Sequence, residues 1–346
     1  MPGTLLPIAL TMGEPAGIGG EIALMAWLRR GPTDPCFYAV DSPRRLAALA
    51  RRVGLPAPVV EIAAPEEAAA AFATALPVLP LASDPEPVLG RPDPVHAAAV
   101  IESIDRAVAA VQAGRAAAVV TNPIQKEALY AAGFPHAGHT EYLAALAGGG
   151  VHPIMMLACP ELRVVPVTVH RSLRAAIEMV SAELIVTAGR ITAAALKRDF
   201  GIPAPVLAVA GLNPHAGENG SLGSEEIEII VPAIERLRAE GIDVRGPQPA
   251  DTMFHARARA RYDAALCMYH DQALIPLKTI DFDGGVNITL GLPFVRTSPD
   301  HGTAIDIAGT GKALPDSLIA ALRLAAAIAV RRGHAAGPAP ATIAAE

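Results

Sequence analysis

The chain has 346 residues, of which 52% are apolar and 18% charged, and its net charge is -6. That length exceeds one small core and fits two domains or one large α/β domain, and the apolar share excludes a disordered chain. No basic stripe exists to neutralise phosphates, so a nucleic-acid partner is not expected.

Taken in chain order, short apolar runs alternate with amphipathic stretches, the pattern of α/β architecture. Residues 5–11 predict a first strand, followed by the turn MGEPAGIGGE and a helix to Arg30. Strands are expected at 36–40 and 58–62 around a helix at 43–53. The stretch 76–95, LPVLPLASDPEPVLGRPDPV, is too rich in proline for a long regular element. A helix at 94–113 then leads to the strand AAAVVT ending at Thr121. Further on, MMLA, RVVPVTV, PVLAVAG and AALCMY read as buried strands, with helices at 181–199 and 224–239. A last helix covers 315–332, and the tail beyond it is expected to fray.

The three cysteines, Cys36, Cys159 and Cys267, are scattered and lack CxxC spacing, which suits buried small hydrophobes in a reducing compartment. The N-terminus lacks an export signal, and the C-terminal run DSLIAALRLAAAIAV is short, alanine-rich and broken by Arg323. A cytoplasmic protein with no membrane partner is therefore expected.

Three histidines carry the chemistry of greatest interest. His170, His215 and His270 each follow an apolar run, which puts them at the carboxyl ends of strands, where open α/β sheets bind ligands. Neutral imidazole is a common metal ligand, and three of them leave a cation an open position for substrate. Each histidine taken singly also reads as structural.

Other motifs allow two readings. Gly13, Gly17, Gly19 and Gly20 suit either close approach to an anion at a helix N-terminus or a tight turn. Their spacing matches neither the dinucleotide fingerprint nor the P-loop. In TNPIQKEALYAAGFPHAGHT, His139 and Thr140 stand in a loop that suits substrate hydrogen bonding better than metal binding. Lysine is scarce beside arginine, with Lys126, Lys197, Lys278 and Lys312 alone, so a retained lysine suggests a needed point charge. Lys278 and Arg296 together could take an anionic substrate, or could be two surface cations. Asn287, Asp300, His301 and Asp306 add polar groups to the same block.

Six separated segments carry a family resemblance. TMGEPAGIG, TNPIQKEALYAAGFPHAGHTEYLA, GLNPHAGENG, ADTMFH, MYHDQALIPLK and FDGGVNITLGLPFVRTSPDHGTAIDIAGTGKA closely resemble the 4-hydroxythreonine-4-phosphate dehydrogenase family of pyridoxal phosphate biosynthesis. HGTAIDIAGTGKALP is also similar to the cofactor loop of isocitrate and isopropylmalate dehydrogenases. The resemblance implies two α/β/α domains around a cleft, not a Rossmann domain. Residues 1–125 with 297–346 would form the cofactor-side domain, and 126–296 the central domain carrying metal, substrate and dimer contacts.

By the same resemblance, His170, His215 and His270 match divalent-metal ligands shared across a homodimer, and His139, Thr140, Lys278, Asn287 and Arg296 match substrate-binding positions. NAD or NADP would lie along His301, Asp306, Gly309 and Lys312, and Asp251 of ADTMFH is a candidate proton acceptor. The metal could be zinc, cobalt, manganese or magnesium, all-nitrogen ligation favouring the first two. The implied reaction oxidises the C3 hydroxyl of 4-phosphooxy-L-threonine and then loses carbon dioxide to give 3-amino-2-oxopropyl phosphate.

The family's relatives also act on phosphorylated four-carbon sugar acids and aromatic cis-dihydrodiols. GEPAGIGGE stands where GDPAGIGPE is usual, and TNPIQK where TGPVHK is common; neither change touches the metal or anion residues. Two other classes fit the residues alone: a metal-dependent lyase or hydrolase, and a non-catalytic phosphate-binding protein.

Overall fold

The computed structural model describes residues 6–333. The first expected strand therefore begins, as described, inside its expected range, and the tail beyond Gly333 lies outside the described residues. Among the described residues the strands are, in chain order, β1 (Ile8–Thr11), β2 (Phe37–Asp41), β3 (Val59–Glu61), β4 (Leu76–Pro80), β5 (Val119–Val120), β6 (Ile154–Cys159), β7 (Leu162–Pro166), β8 (Val206–Ala210), β9 (Asp243–Gln248), β10 (Ala264–Cys267), β11 (Val286–Leu290) and β12 (Arg296–Pro299). Helices separate most of them, which makes the fold α/β.

The chain forms two compact units: residues up to Pro153 with those from Leu292 onward, and Ile154–Gly291. In the first unit the strand order is β3-β4-β2-β1-β5-β12, every pair parallel. From β1 the chain passes to β2, then to the edge strand β3 and back to β4 between them, and finally places β5 on the other side of β1. The gap beyond the carboxyl ends of β1 and β5 is thus a switch point, the usual ligand position in such sheets. Residues 126–153, expected in the central domain, pack here in the first unit, with Leu129, Phe134 and Leu143 in its core beside the helix Ala97–Gln112. Burying those apolar side chains holds the two short helices of this segment, Lys126–Ala131 and His139–Leu146, against the first unit.

In the second unit the order is β11-β6-β7-β10-β8-β9. β6 is antiparallel to both neighbours, whereas β7, β10, β8 and β9 are parallel. Leu157, Val164, Ala208, Ala265 and Leu277 lie in its core. The helix His270–Ile280 packs against β7 and β10 and so fixes the direction in which its first residue leaves the sheet.

Local chemistry explains the element boundaries. Ser42 caps the helix Pro43–Arg52 by accepting from the Arg45 amide, with proline at the first helical position and two arginines in the last turn. The proline-rich stretch does begin with a strand, β4, and then runs without regular structure to Pro94. β12 is polar in sequence yet wholly buried, because its groups find partners: Thr297 donates from Oγ1 to the Ala321 carbonyl at 2.9 Å. Among the described residues no single helix is long and apolar enough to cross a membrane.

One buried hydroxyl ties three elements of the first unit. Ser103 Oγ accepts from the Met12 amide at 2.8 Å and donates to the Val40 carbonyl at 2.7 Å, and the residue has no exposure. Ser103→Ala strands the Met12 amide in the core and is expected to cost about 1–3 kcal/mol. A urea-unfolding midpoint equal to that of the native chain contradicts this.

Candidate active site

The second unit gathers the three histidines on one sheet edge. β7, β10 and β8 are neighbouring parallel strands, and the chain leaving their carboxyl ends carries His170, His270 and His215 respectively. Asp251 follows β9, the next parallel strand, in the turn Ala250–Thr252, which packs against the turn holding His215.

Side-chain hydrogen bonds join these strand ends. Thr168 Oγ1, buried just past β7, donates to the Met268 carbonyl just past β10 at 2.8 Å. Gln272 accepts from the Met268 amide at 2.6 Å and donates to the Gly211 carbonyl, just past β8, at 2.7 Å. Gln272 is itself buried, so both of its bonds form in a low-dielectric setting where leaving either group unpaired is costly.

The rings of His170 and His270 lie 5.5 Å apart between centroids, tilted by 41°. His270 Nδ1 stands 2.7 Å from the Asp271 carboxylate, which makes Nδ1 the protonated nitrogen and leaves the Nε2 lone pair for a cation. This donor set fits a divalent metal: two close imidazoles, one already oriented by a carboxylate. His215 is not brought into that pair. Among the described residues no group of three or more His, Cys, Asp or Glu side chains could hold a metal ion within the single chain.

His270 and Lys278, about two helical turns apart, line the same cavity of about 430 Å³ with Asp271, Leu274, Ile275 and Thr279. The Lys278 ammonium sits 5.3 Å from the centre of the Phe282 ring. Asn287 lies on β11, paired with Leu157 of β6.

The first unit carries the remaining substrate candidates near its switch point. Arg296 opens β12 and is buried, donating to Thr121 Oγ1 from Nε at 3.2 Å and from Nη2 at 2.6 Å. Burial lowers its pKa to about 10, so it is still a cation at neutral pH. His139 opens the helix His139–Leu146, with Thr140 next to it. Its Nε2 is buried without a hydrogen-bond partner. Burial, and then the charges of Arg296 and Lys126, hold its pKa well below the ordinary 6.5. Lys126 lies over Gly138, where an added side chain would meet Lys126 Nζ at 3.4 Å. The Glu141 carboxylate stands over Gly138 as well, its Oε2 also 3.4 Å from an added side chain. The corner thus combines two cations, one carboxylate and a neutral imidazole with an orphan nitrogen, and suits a polar ligand with an anionic group.

The glycine turn after β1 resolves in favour of packing. A side chain at Gly13 would meet Asn122 Cβ and Pro123 O at 2.7 Å, and one at Gly17 would meet Thr303 O at 2.8 Å. Gly13 also has φ +70°. These glycines let two backbones touch.

In the expected cofactor segment, Asp306 and Lys312 are exposed and His301 Nε2 is buried without a hydrogen-bond partner. The backbone amides of Gly309 and Gly311 are taken by the two carboxylate oxygens of Glu21, a fully buried residue of the helix Gly19–Leu28. Sequence reasoning missed Glu21, Gln272 and Thr168. An acidic residue in a first helical turn ordinarily reads as a dipole partner in water, and nothing in its spacing marks the glycine loop as its target.

The depressed His139 pKa has a measurable consequence. Below about pH 6.5 the unfolded chain binds a proton at this ring that the folded chain refuses, so this group's stability contribution is lost as pH falls. His139→Gln is expected to flatten the fall in unfolding midpoint between about pH 7 and pH 5.5. An unchanged slope contradicts the burial of a neutral ring.

The comparisons with known proteins agree with one another. The family model described as pyridoxal phosphate biosynthetic protein PdxA matches residues 35–325. A 4-hydroxythreonine-4-phosphate dehydrogenase of Bradyrhizobium diazoefficiens is 56% identical over 338 residues, covering 94% of this chain and 98% of the relative. The Klebsiella pneumoniae structure of that name superposes with a TM-score of 0.84 at 39% identity, covering 94% of this chain and 99% of that one. A terephthalate 1,2-cis-dihydrodiol dehydrogenase from Burkholderia xenovorans matches at a TM-score of 0.62 and 29% identity, over 93% and 97% of the two chains. A family model that spans most of the chain, and relatives matched almost end to end, place this chain in the PdxA family of pyridoxal phosphate biosynthetic proteins.

Proposed function

We propose that the chain is a 4-hydroxythreonine-4-phosphate dehydrogenase, oxidising the C3 hydroxyl of 4-phosphooxy-L-threonine with NAD or NADP and releasing carbon dioxide to leave 3-amino-2-oxopropyl phosphate. The observation that carries this reading is the run of three histidines and Asp251 past the ends of four adjacent parallel strands. The names of the relatives above 50% identity support the substrate, and the dihydrodiol enzyme is a more distant match.

His170, His215 and His270 would hold one divalent cation, zinc or cobalt suiting an all-nitrogen set better than magnesium or manganese. When bound, the cation would supply positive charge at the reacting hydroxyl, and a nicotinamide would supply the hydride acceptor for C3. Asp251 accepts the hydroxyl proton. Lys278, Asn287 and Arg296 hold the phosphate and carboxylate ends, with His139 and Thr140 adding polar contacts that fix orientation. Loss of carbon dioxide then breaks the bond from the carboxyl carbon, its electron pair passing toward the new carbonyl before a proton is returned to carbon.

The ligand set is completed across a homodimer. In support, one chain alone pairs only two of the rings, and apolar side chains are exposed beside them: Leu173, Ile177 and Met179 on the helix after His170, and Ile275 and Phe282 on and after the helix of His270.

The direct test follows nicotinamide reduction on 4-phosphooxy-L-threonine, a phosphorylated four-carbon sugar acid and an aromatic cis-dihydrodiol, with the metal varied. The first substrate is expected to turn over fastest; no reduction with any of the three overturns the reading. His215→Ala is expected to lose both metal and turnover while remaining folded, and unchanged turnover removes the metal role. Arg296→Ala is expected to raise KM roughly tenfold or more, since a charge-assisted bond contributes about 1.5–3 kcal/mol. A KM that does not move removes its anion role.

A further inference from the structure

The backbone that carries His215 is strained. His215, Ala216, Gly217, Glu218 and Asn219 are five consecutive residues with positive φ, between 43° and 77°. Only one is glycine, so the turn runs left-handed through side chains that disfavour that hand. Such a conformation persists only when its surroundings over-determine it, and such sites cluster where function needs a side chain aimed.

Glu226 supplies that constraint. It is 2% exposed, and its Oε1 accepts from the Leu212 amide at 2.7 Å and the Asn213 amide at 2.8 Å. Its Oε2 accepts from Asn213 Nδ2 at 2.9 Å. The turn lies directly on this carboxylate, since a side chain added at Gly217 would meet Glu226 Oε2 at 2.6 Å. Glu226 begins a π-helical turn, Glu226–Ile230, continuous with the helix Val231–Ala239, so a local widening aims the carboxylate under the turn. The upstream end, Gly211, is held by Gln272 from the helix of His270. Held at its upstream end by Gln272 and Glu226, and lying on the Glu226 carboxylate at Gly217, the left-handed turn has a fixed base for its imidazole.

We propose that Glu226 is the positioning residue for His215, holding the strained turn so that the imidazole is pre-set for metal. The proposal rests on the reading of His215 as a metal ligand. The test is cobalt(II) binding to the full chain, measured by calorimetry and by the visible spectrum of the bound ion, with thermal unfolding recorded beside it. Glu226→Gln keeps the size but sets an amide against the Asn213 amide, and is expected to weaken cobalt binding at least tenfold. Glu225→Gln, altering the carboxylate beside it that also bonds Asn213 at 2.7 Å, is expected to stay within about threefold. A role in stability alone would shift the unfolding midpoint of Glu226→Gln and leave its cobalt affinity native, which overturns the proposal. If Glu226→Gln does not fold, Glu226→Asp decides: it keeps the charge but draws the carboxylate one methylene back from the Leu212 and Asn213 amides, and native cobalt affinity in that variant also overturns it. Native protein that binds no cobalt contradicts the metal reading itself, whereas loss in His215→Ala with retention in Glu226→Gln contradicts the positioning role alone.

Discussion

The backbone just past the ends of β7, β10 and β8 is pinned by buried side chains, and the placement of every candidate ligand in the second unit depends on it. Thr168 reaches the Met268 carbonyl, and Gln272 bridges the Met268 amide and the Gly211 carbonyl. A net hydrogen bond is worth only about 1 kcal/mol, but a buried group left without its partner costs about 1–3 kcal/mol. These bonds therefore act less as sources of stability than as penalties against any other arrangement of the strand ends. Loops held by water alone would let the histidines wander.

Electrostatics does the corresponding work in the first unit. Arg296 is buried against Thr121, and Lys126 stands over Gly138. Both charges press on His139, and together with burial they keep its ring neutral. Lys126 is exposed, whereas burial disfavours the charge of Arg296, so an anion placed beside Arg296 would relieve part of that cost. Glu21 has a different part. By taking the amides of Gly309 and Gly311 it fixes the course of the loop, and it withdraws those two donors from any ligand.

The apolar runs were legible because burial demands them. β1, β2, β7, β8 and β10 all fall where hydrophobic stretches stand, and the histidines that follow could be named from position alone. β12 was not legible, since RTSP is buried through hydrogen bonds rather than through apolar character. β9, with glycine and proline inside DVRGPQ, hid for a similar reason. Gln272, Glu21 and Glu226 read as ordinary surface residues, because nothing local shows which distant amides a carboxylate or carboxamide will meet. The left-handed turn at 215–219 was invisible too: alanine and glutamate are not residues that announce positive φ, and the strain is imposed by tertiary contacts. The resemblance implies a central domain beginning at residue 126, whereas the apolar side chains of residues 126–153 pack in the first unit.

The account stands on convergence of three imidazoles on one cation. X-ray absorption at the metal edge of the cobalt- or zinc-loaded protein tests it most directly. Three nitrogen scatterers at about 2.0–2.1 Å, with the outer-shell pattern of imidazole rings, are the predicted result. A first shell of oxygen alone, without imidazole scattering, would contradict it.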